Sequence, residues 1–230
     1  MERNIKNDFT FAHREEGFDT HIEKSIRGYS DLHNDVVKLS RFFVENGSTV
    51  IDLGCSTGKT LASMYNQNKD FTQEVEYVGI DYAEGFWSEM EKTKKKYPNI
   101  HLQTADVREF EFRNCCLVTS IFTLQFIPRK DRQELLNKIY SGLNDGGAFI
   151  FSEKTYSNNS KLQDILTFMH YDHKRQSFDA EDIMEKEVTL RSMLRPNTWD
   201  EIEEMLFIAG FRKVQIFWQN YLFVGAVALK

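Results

Sequence analysis

Three carboxylates in this chain each follow an apolar segment, and their spacing defines the chemistry open to it. Asp52 ends Val50-Ile51-Asp52, Asp81 ends Tyr77-Val78-Gly79-Ile80-Asp81, and Asp106 follows Thr104-Ala105. Behind the first acid comes the small-residue turn Leu53-Gly54-Cys55-Ser56-Thr57-Gly58, then Lys59-Thr60-Leu61-Ala62, which reads as a helix start. A strand, a Gly/Ser turn and a helix whose first N–H groups face the turn form a nucleotide-type site. The turn closes on Gly58-Lys59-Thr60 but is not a phosphate loop: three residues separate its glycines where a P-loop needs four. It also fails the dinucleotide pattern, because Ser56 stands at the second glycine and Leu61 at the third. The pattern that fits is Asp-x-Gly-x-Ser-x-Gly.

An acid at that position repels a pyrophosphate and attracts a cation or an ammonium group. Asp81, 27 residues past Gly54, is placed to accept both hydroxyls of a ribose, and Asp106 to take an adenine amino group. Alone, each acid is equally a helix cap or a surface charge. At the ends of three successive strands they point to a cationic adenosyl compound, S-adenosylmethionine, with Gly54, Cys55, Ser56 and Gly58 forming its turn and Tyr82 and Val107 flanking the second and third acids.

Other chemistry-bearing residues carry less. His170 and His173 stand three apart with Asp172 between them, but no third metal ligand accompanies them, so packing or pocket lining is expected and no metal is assigned. Cys115-Cys116 falls inside an expected strand, where thiols act as small hydrophobes. The run Lys92–Lys96 reads as a solvated helix end.

Elements that would position the acids alternate from residue 49 onward: strands near 49–53, 75–80, 100–104, 115–121 and 147–153, with amphipathic helices between them. The clearest helix runs Lys130 to Leu143 and is stopped by Asn144-Asp145-Gly146-Gly147. At the end, Phe211–Trp218 and Tyr221–Leu229 read as an antiparallel hairpin turning at Gln219-Asn220. The expected fold is α/β, a doubly wound sheet of seven strands, mostly parallel, ending in that hairpin. One domain spans 1–230, with a helical cap over 1–45 and a helical insertion over 154–196, in which Leu162, Ile165, Leu166 and Met169 form a packed apolar face. A net charge of −6 gives no general basic field, so direct nucleic-acid binding is not expected. No apolar run approaches the ~20 residues of a membrane span. Three cysteines without a CxxC pair and a polar start predict a reduced, cytoplasmic protein.

Several segments sharpen this. Phe18-Asp19, Ser25-Ile26-Arg27-Gly28-Tyr29-Ser30, Phe122-Thr123-Leu124-Gln125-Phe126, Leu135–Leu143 through Gly146-Gly147 to Ser152-Glu153-Lys154, Met169–Arg175, Arg191-Ser192-Met193-Leu194 and the stretch from Ala209 to Leu229 together resemble the carboxy-S-adenosyl-L-methionine synthase family, within the class I methyltransferase superfamily. The resemblance implies a methyltransferase-like Rossmann fold, usually dimeric, that takes S-adenosylmethionine and prephenate. The sulfonium methyl loses a proton and the resulting ylide captures the carbon dioxide released as prephenate becomes phenylpyruvate. It implies that Arg191 faces that methyl and holds the new carboxylate, and that Tyr29 lies over the cofactor. The product would serve carboxymethylation of a tRNA wobble uridine by another enzyme. One departure is Ile121, where the family has an Asn that touches the cofactor. Two other functions remain open on the sequence: an ordinary methyltransferase acting on a small acceptor, and a non-catalytic S-adenosylmethionine-binding partner protein.

Overall fold

A computed structural model describes residues 17–230; the first 16 residues of the expected cap lie outside it. The elements, in chain order, are α1 (Phe18–Ser25), α2 (Tyr29–Ser40), β1 (Thr49–Leu53), α3 (Lys59–Asn68), β2 (Glu76–Asp81), α4 (Trp87–Lys96), β3 (Ile100–Thr104), β4 (Cys115–Ile121), α5 (Arg129–Gly142), β5 (Leu143–Tyr156), α6 (Ser160–Lys174), α7 (Ala180–Met193), β6 (Asn197–Thr198), α8 (Trp199–Ala209), β7 (Lys213–Asn220) and β8 (Phe223–Leu229). Short 3-10 turns at Glu84–Phe86 and Leu124–Phe126 follow β2 and β4.

The sheet runs β3-β2-β1-β4-β5-β8-β7, parallel from β3 through β5 and antiparallel at β8 and β7. The chain reverses its spread between β1 and β4, which puts a crevice at the carboxyl ends of those two strands. Residues on β4 from Cys115 to Ser120 are all buried, as expected of a central strand covered on both faces. Strand alternation sends Val50 to a core with Leu32, Leu61 and Met64 of α2 and α3, and Ile51 and Leu53 to the opposite core with Leu136 and Ile139 of α5 and Leu206 of α8. Both faces are thus wound with helices, and the site lies along the edge where the parallel strands end.

Four expectations are corrected. An eighth, two-residue strand, β6, pairs with the end of β5 and seats Asn197 and Thr198 before α8, where Thr198 and Glu201 form a capping box. Asn144–Gly147 does not separate α5 from the strand: β5 starts at Leu143, and its register against β4 jumps from Leu143 opposite Cys115 to Ala148 opposite Leu117. The glycines form a bulge within the ladder, with Gly146 at φ +82°. The hairpin turns at Tyr221-Leu222, Asn220 pairing with Phe223 and Tyr221 taking the left-handed position at φ +51°. Asn220 is thereby free to accept a hydrogen bond from Arg27 at 2.6 Å, which ties the hairpin to the segment before α2.

The fourth correction concerns α6. It is helical as expected, but of the expected apolar face only Leu166 is half-buried: Leu162, Ile165 and Met169 are 52%, 44% and 42% exposed, as is the neighbouring Phe168 at 67%. Periodicity reports that a face needs a cover and is silent on which chain supplies it. Among the described residues no helix is long and apolar enough to cross a membrane.

Candidate active site

The turn after β1 is shaped by hydrogen bonds to its neighbour. Gly54 and Cys55 donate their N–H groups to the Ile80 carbonyl at 2.7 and 3.1 Å, which draws the turn against the end of β2. Gly54 has φ +70°, and a Cβ there would stand 2.1 Å from the Thr123 hydroxyl oxygen, which itself donates to the Leu53 carbonyl at 2.9 Å. Glycine is therefore required twice, for its backbone angle and for the approach of Thr123. Cys55 packs inward under Gly79, and burial pushes its thiol well above the ordinary range, so it is inert packing. Ser56 and Phe122, both at positive φ (50° and 57°), sit on facing loops of the crevice. Non-glycine residues held there cost about 1–3 kcal/mol each and persist because their surroundings impose them.

The crevice opens into a cavity of about 730 Å³. Of the residues expected to bind cofactor, Gly54, Ser56, Asp81, Tyr82, Asp106, Val107 and Ile121 line it. Asp81 accepts the Ser56 N–H on one oxygen and the Ala83 N–H on the other, each at 2.8 Å, leaving lone pairs on both for vicinal hydroxyls. Burial raises its pKa. Asp106 is gripped by Arg108, whose guanidinium also reaches Asp131 at 2.7 Å; these bonds hold the Asp106 carboxyl below its usual range. Its free capacity for a ligand donor is correspondingly smaller than its place in the sequence suggests.

Asp52, Cys55, Gly58 and Tyr29 lie behind the lining. Asp52, 2% exposed, accepts the Thr119 hydroxyl at 2.6 Å, and desolvation pushes its pKa up to about 7 despite that bond. Tyr29 begins an aromatic row: its ring stands 6.3 Å from that of Phe122, Phe122 meets Phe223 edge-on at 5.7 Å, and Phe223 meets His170 at 5.1 Å. His170 lines the cavity, and burial among the ammonium groups of Lys174, Lys154 and Lys186 drives its pKa down to about 3, so it is a neutral imidazole.

The structure does not bring Arg191 into this lining. It is exposed on α7, and its charge is felt by Tyr171 of α6. Its immediate neighbours Leu190 and Ser192, followed by Met193, Leu194 and Arg195, do line the cavity, joined by Lys154, Lys174, Lys186 and Glu187. This cationic end was not singled out from the sequence. Its available signal was Lys154 directly after Glu153 near the end of β5. Beneath it Glu153, 4% exposed, accepts the Leu124 N–H at 3.0 Å, and burial raises its pKa to about 8. Ile121 stands at the cavity with an apolar side chain; its carbonyl accepts from the Thr123 hydroxyl at 3.3 Å.

The cavity therefore offers hydroxyl acceptors and negative charge at the ends of β1–β3, an aromatic wall along its middle and positive charge at the end of β5. The acids suit the ribose and the cationic amino-acid end of S-adenosylmethionine. Comparisons with known proteins agree. Residues 50–147 match a methyltransferase domain. Human N-acetylserotonin methyltransferase in complex with S-adenosylmethionine superposes with a TM-score of 0.57 at 17% identity, over 88% of this chain and 52% of that one, which shows the fold. The carboxy-S-adenosyl-L-methionine synthase of Actinobacillus pleuropneumoniae is 32% identical, over 97% of this chain and 94% of its own length. The corresponding synthase of Staphylococcus epidermidis is 34% identical, over 93% and 92%. With an S-adenosylmethionine-dependent transferase fold and full-length similarity of that order, the chain belongs to the carboxy-S-adenosyl-L-methionine synthase family.

Proposed function

We propose that the protein converts S-adenosylmethionine and prephenate to carboxy-S-adenosylmethionine, phenylpyruvate and water. A methyl C–H bond on the sulfonium breaks, and the carbanion carbon forms a C–C bond to carbon dioxide. In prephenate the bond to the ring carboxylate breaks, hydroxide leaves as the ring becomes aromatic, and the methyl proton ends in water with that hydroxide. Charge and atoms balance without an oxidant or a metal. The observation that carries this reading is the electrical division of one cavity, with acids at the strand ends and cations at the other end: a methyl acceptor that is neutral needs no such second end. The product would feed a carboxymethyl transfer, in this reading to a tRNA wobble uridine by another enzyme in the cytoplasm. The whole chain acts as one unit, since cap, sheet and insertion all contribute to the cavity wall. Incubating purified protein with S-adenosylmethionine, with and without prephenate, tests it: a carboxylated product by mass spectrometry only with prephenate is expected, and methyl transfer alone would sink it.

A second copy of the chain is proposed to cover α6. The uncovered face on α6 and the exposed Met184 and Val188 of α7 belong to the same insertion that carries Arg191 on its outside. In this reading Arg191 serves the cavity of the neighbouring copy, which reconciles its expected role at the sulfonium with its place outside its own cavity. Arg191→Leu and Asp81→Ala chains, each inactive alone, should regain about a quarter of the parental activity when equal amounts are reassembled, since half the dimers hold one intact site. No recovery would rule out sharing.

A further inference from the structure

Two cations at the β5 end of the cavity have no acidic partner among the described residues: Lys154 and Arg195. Their neighbours are compensated. Lys174 pairs with Glu187 at 3.4 Å, and Arg108 bridges Asp106 and Asp131. The Lys154 ammonium lies 6.0 Å from the centroid of the Phe223 ring, at the far end of the aromatic row.

One buried residue fixes both. Gln125, in the turn after β4, accepts the Lys154 backbone N–H on its side-chain oxygen at 2.9 Å and the Arg195 backbone N–H on its own backbone carbonyl at 3.0 Å, so it holds the two main-chain positions from which the cations extend. That same carbonyl accepts from the Arg132 guanidinium at 3.2 Å, and the turn is pinned again by Glu153 on the Leu124 N–H. A lysine and an arginine from distant segments are thus referred to one rigid support. Lys154 is half-buried and Arg195 exposed, so neither carries the cost of a buried charge; what marks them is that two cations without a carboxylate partner among the described residues line one cavity, where an anion can meet both.

We propose that Lys154 and Arg195 form the grip for the 2-oxo-acid end of the second substrate, with Gln125 as the positioning residue that fixes their separation. This rests on the synthase reading. The choice of end follows from the reaction. A carboxylate that must leave as carbon dioxide loses its charge in the transition state, so cations on it would stabilise the ground state and slow the step. The grip therefore holds the carboxylate that persists in the product, and the aromatic row of Phe122 and Phe223 faces the ring, whose departing carboxylate meets apolar surface.

Phenylpyruvate, which keeps the gripped end, is the probe. With S-adenosylmethionine bound, Lys154→Met and Arg195→Met should each weaken phenylpyruvate binding in calorimetry, and raise KM for prephenate, about tenfold or more, as expected for one charge-assisted pair. Lys154→Arg should retain most of the affinity. Gln125→Met should raise KM severalfold with kcat nearly unchanged, a split that general loosening of the fold would not give. S-adenosylmethionine Kd should stay within about twofold in all four, with folding checked by thermal melting. The grip is overturned if Lys154→Met and Arg195→Met leave phenylpyruvate affinity and KM unchanged, or if S-adenosylmethionine Kd rises in step, which would assign the cations to its own carboxylate. Should the parent make no carboxylated product, the synthase reading fails while the phenylpyruvate titration still decides the grip.

Discussion

The two ends of the cavity are built differently. The acidic end rests on the sheet: Asp52 and Asp81 lie in the last residues of β1 and β2, Asp106 just past β3, and the turn after β1 is locked by backbone bonds to Ile80 and by the Thr123 side chain. The cationic end is assembled from β5, α6 and the segment after α7; Gln125 joins the first to the last, and Lys174 of α6 is held by Glu187 of α7 rather than by a shared ladder. The difference teaches that ligand recognition common to a superfold is written in strand ends, while the chemistry peculiar to one family is written in what is inserted between them.

The sharpest way to break this division is at Gly54. Adding one methyl group there imposes a strained backbone and drives into Thr123. Strain and overpacking of about 1–3 kcal/mol each should lower S-adenosylmethionine affinity about a hundredfold or more in Gly54→Ala. Phenylpyruvate affinity, measured alone, should move far less. Equal losses at both ends would show that they are not independent.

A smaller effect is expected at Asp81. Asp81→Asn keeps the shape but removes the charge that accepts ribose hydroxyls and costs one of the two acceptor bonds to Ser56 and Ala83. Loss of one or two charge-assisted bonds corresponds to about a tenfold to hundredfold rise in S-adenosylmethionine Kd by calorimetry. An unchanged Kd would remove Asp81 from the ribose.

The same division governs what was legible in the sequence. The strand–turn–acid units could be read because local rules set them: apolar runs, a Gly/Ser turn, an acid at each end. Ser56, Asp81 and Val107 accordingly sit at the cavity where they were expected. Asp52, within β1, and Cys55, in the turn after it, are buried away from the cavity lining because of Thr119 and Gly79, which come from other strands. Lys154 and Arg195 could not be picked out, since the bond that unites them runs through a glutamine side chain about 29 residues from one and through its carbonyl to the other. The packed face expected of α6 failed for a related reason: periodicity shows the need for burial and not the identity of the cover.

The smallest and most diagnostic effect belongs to Asp52. Its pKa stands near 7 against an ordinary 3.8, first because it is desolvated, and Asp81 adds to the rise while the Thr119 hydroxyl opposes it. Between pH 4 and 7 the folded protein thus holds a proton there that the unfolded chain has released. The group's contribution to stability is full below pH 4 and is lost as pH rises through 7. Binding carries the opposite sign, because a cationic ligand is drawn to the ionised form. S-adenosylmethionine affinity should therefore weaken as pH falls from 8 to 6, by at most about tenfold, the fall in ionised fraction across that window of one group that titrates near 7. Asp52→Asn should flatten this profile and bind more weakly than the parent at pH 8. The affinity of phenylpyruvate should not follow the same curve, because the residues proposed to grip it stand at the β5 end of the cavity and not beside Asp52. A parental profile that is flat from 6 to 8 would mean that Asp52 shapes the turn without sensing the ligand's charge, leaving Asp81 as the acid that answers it.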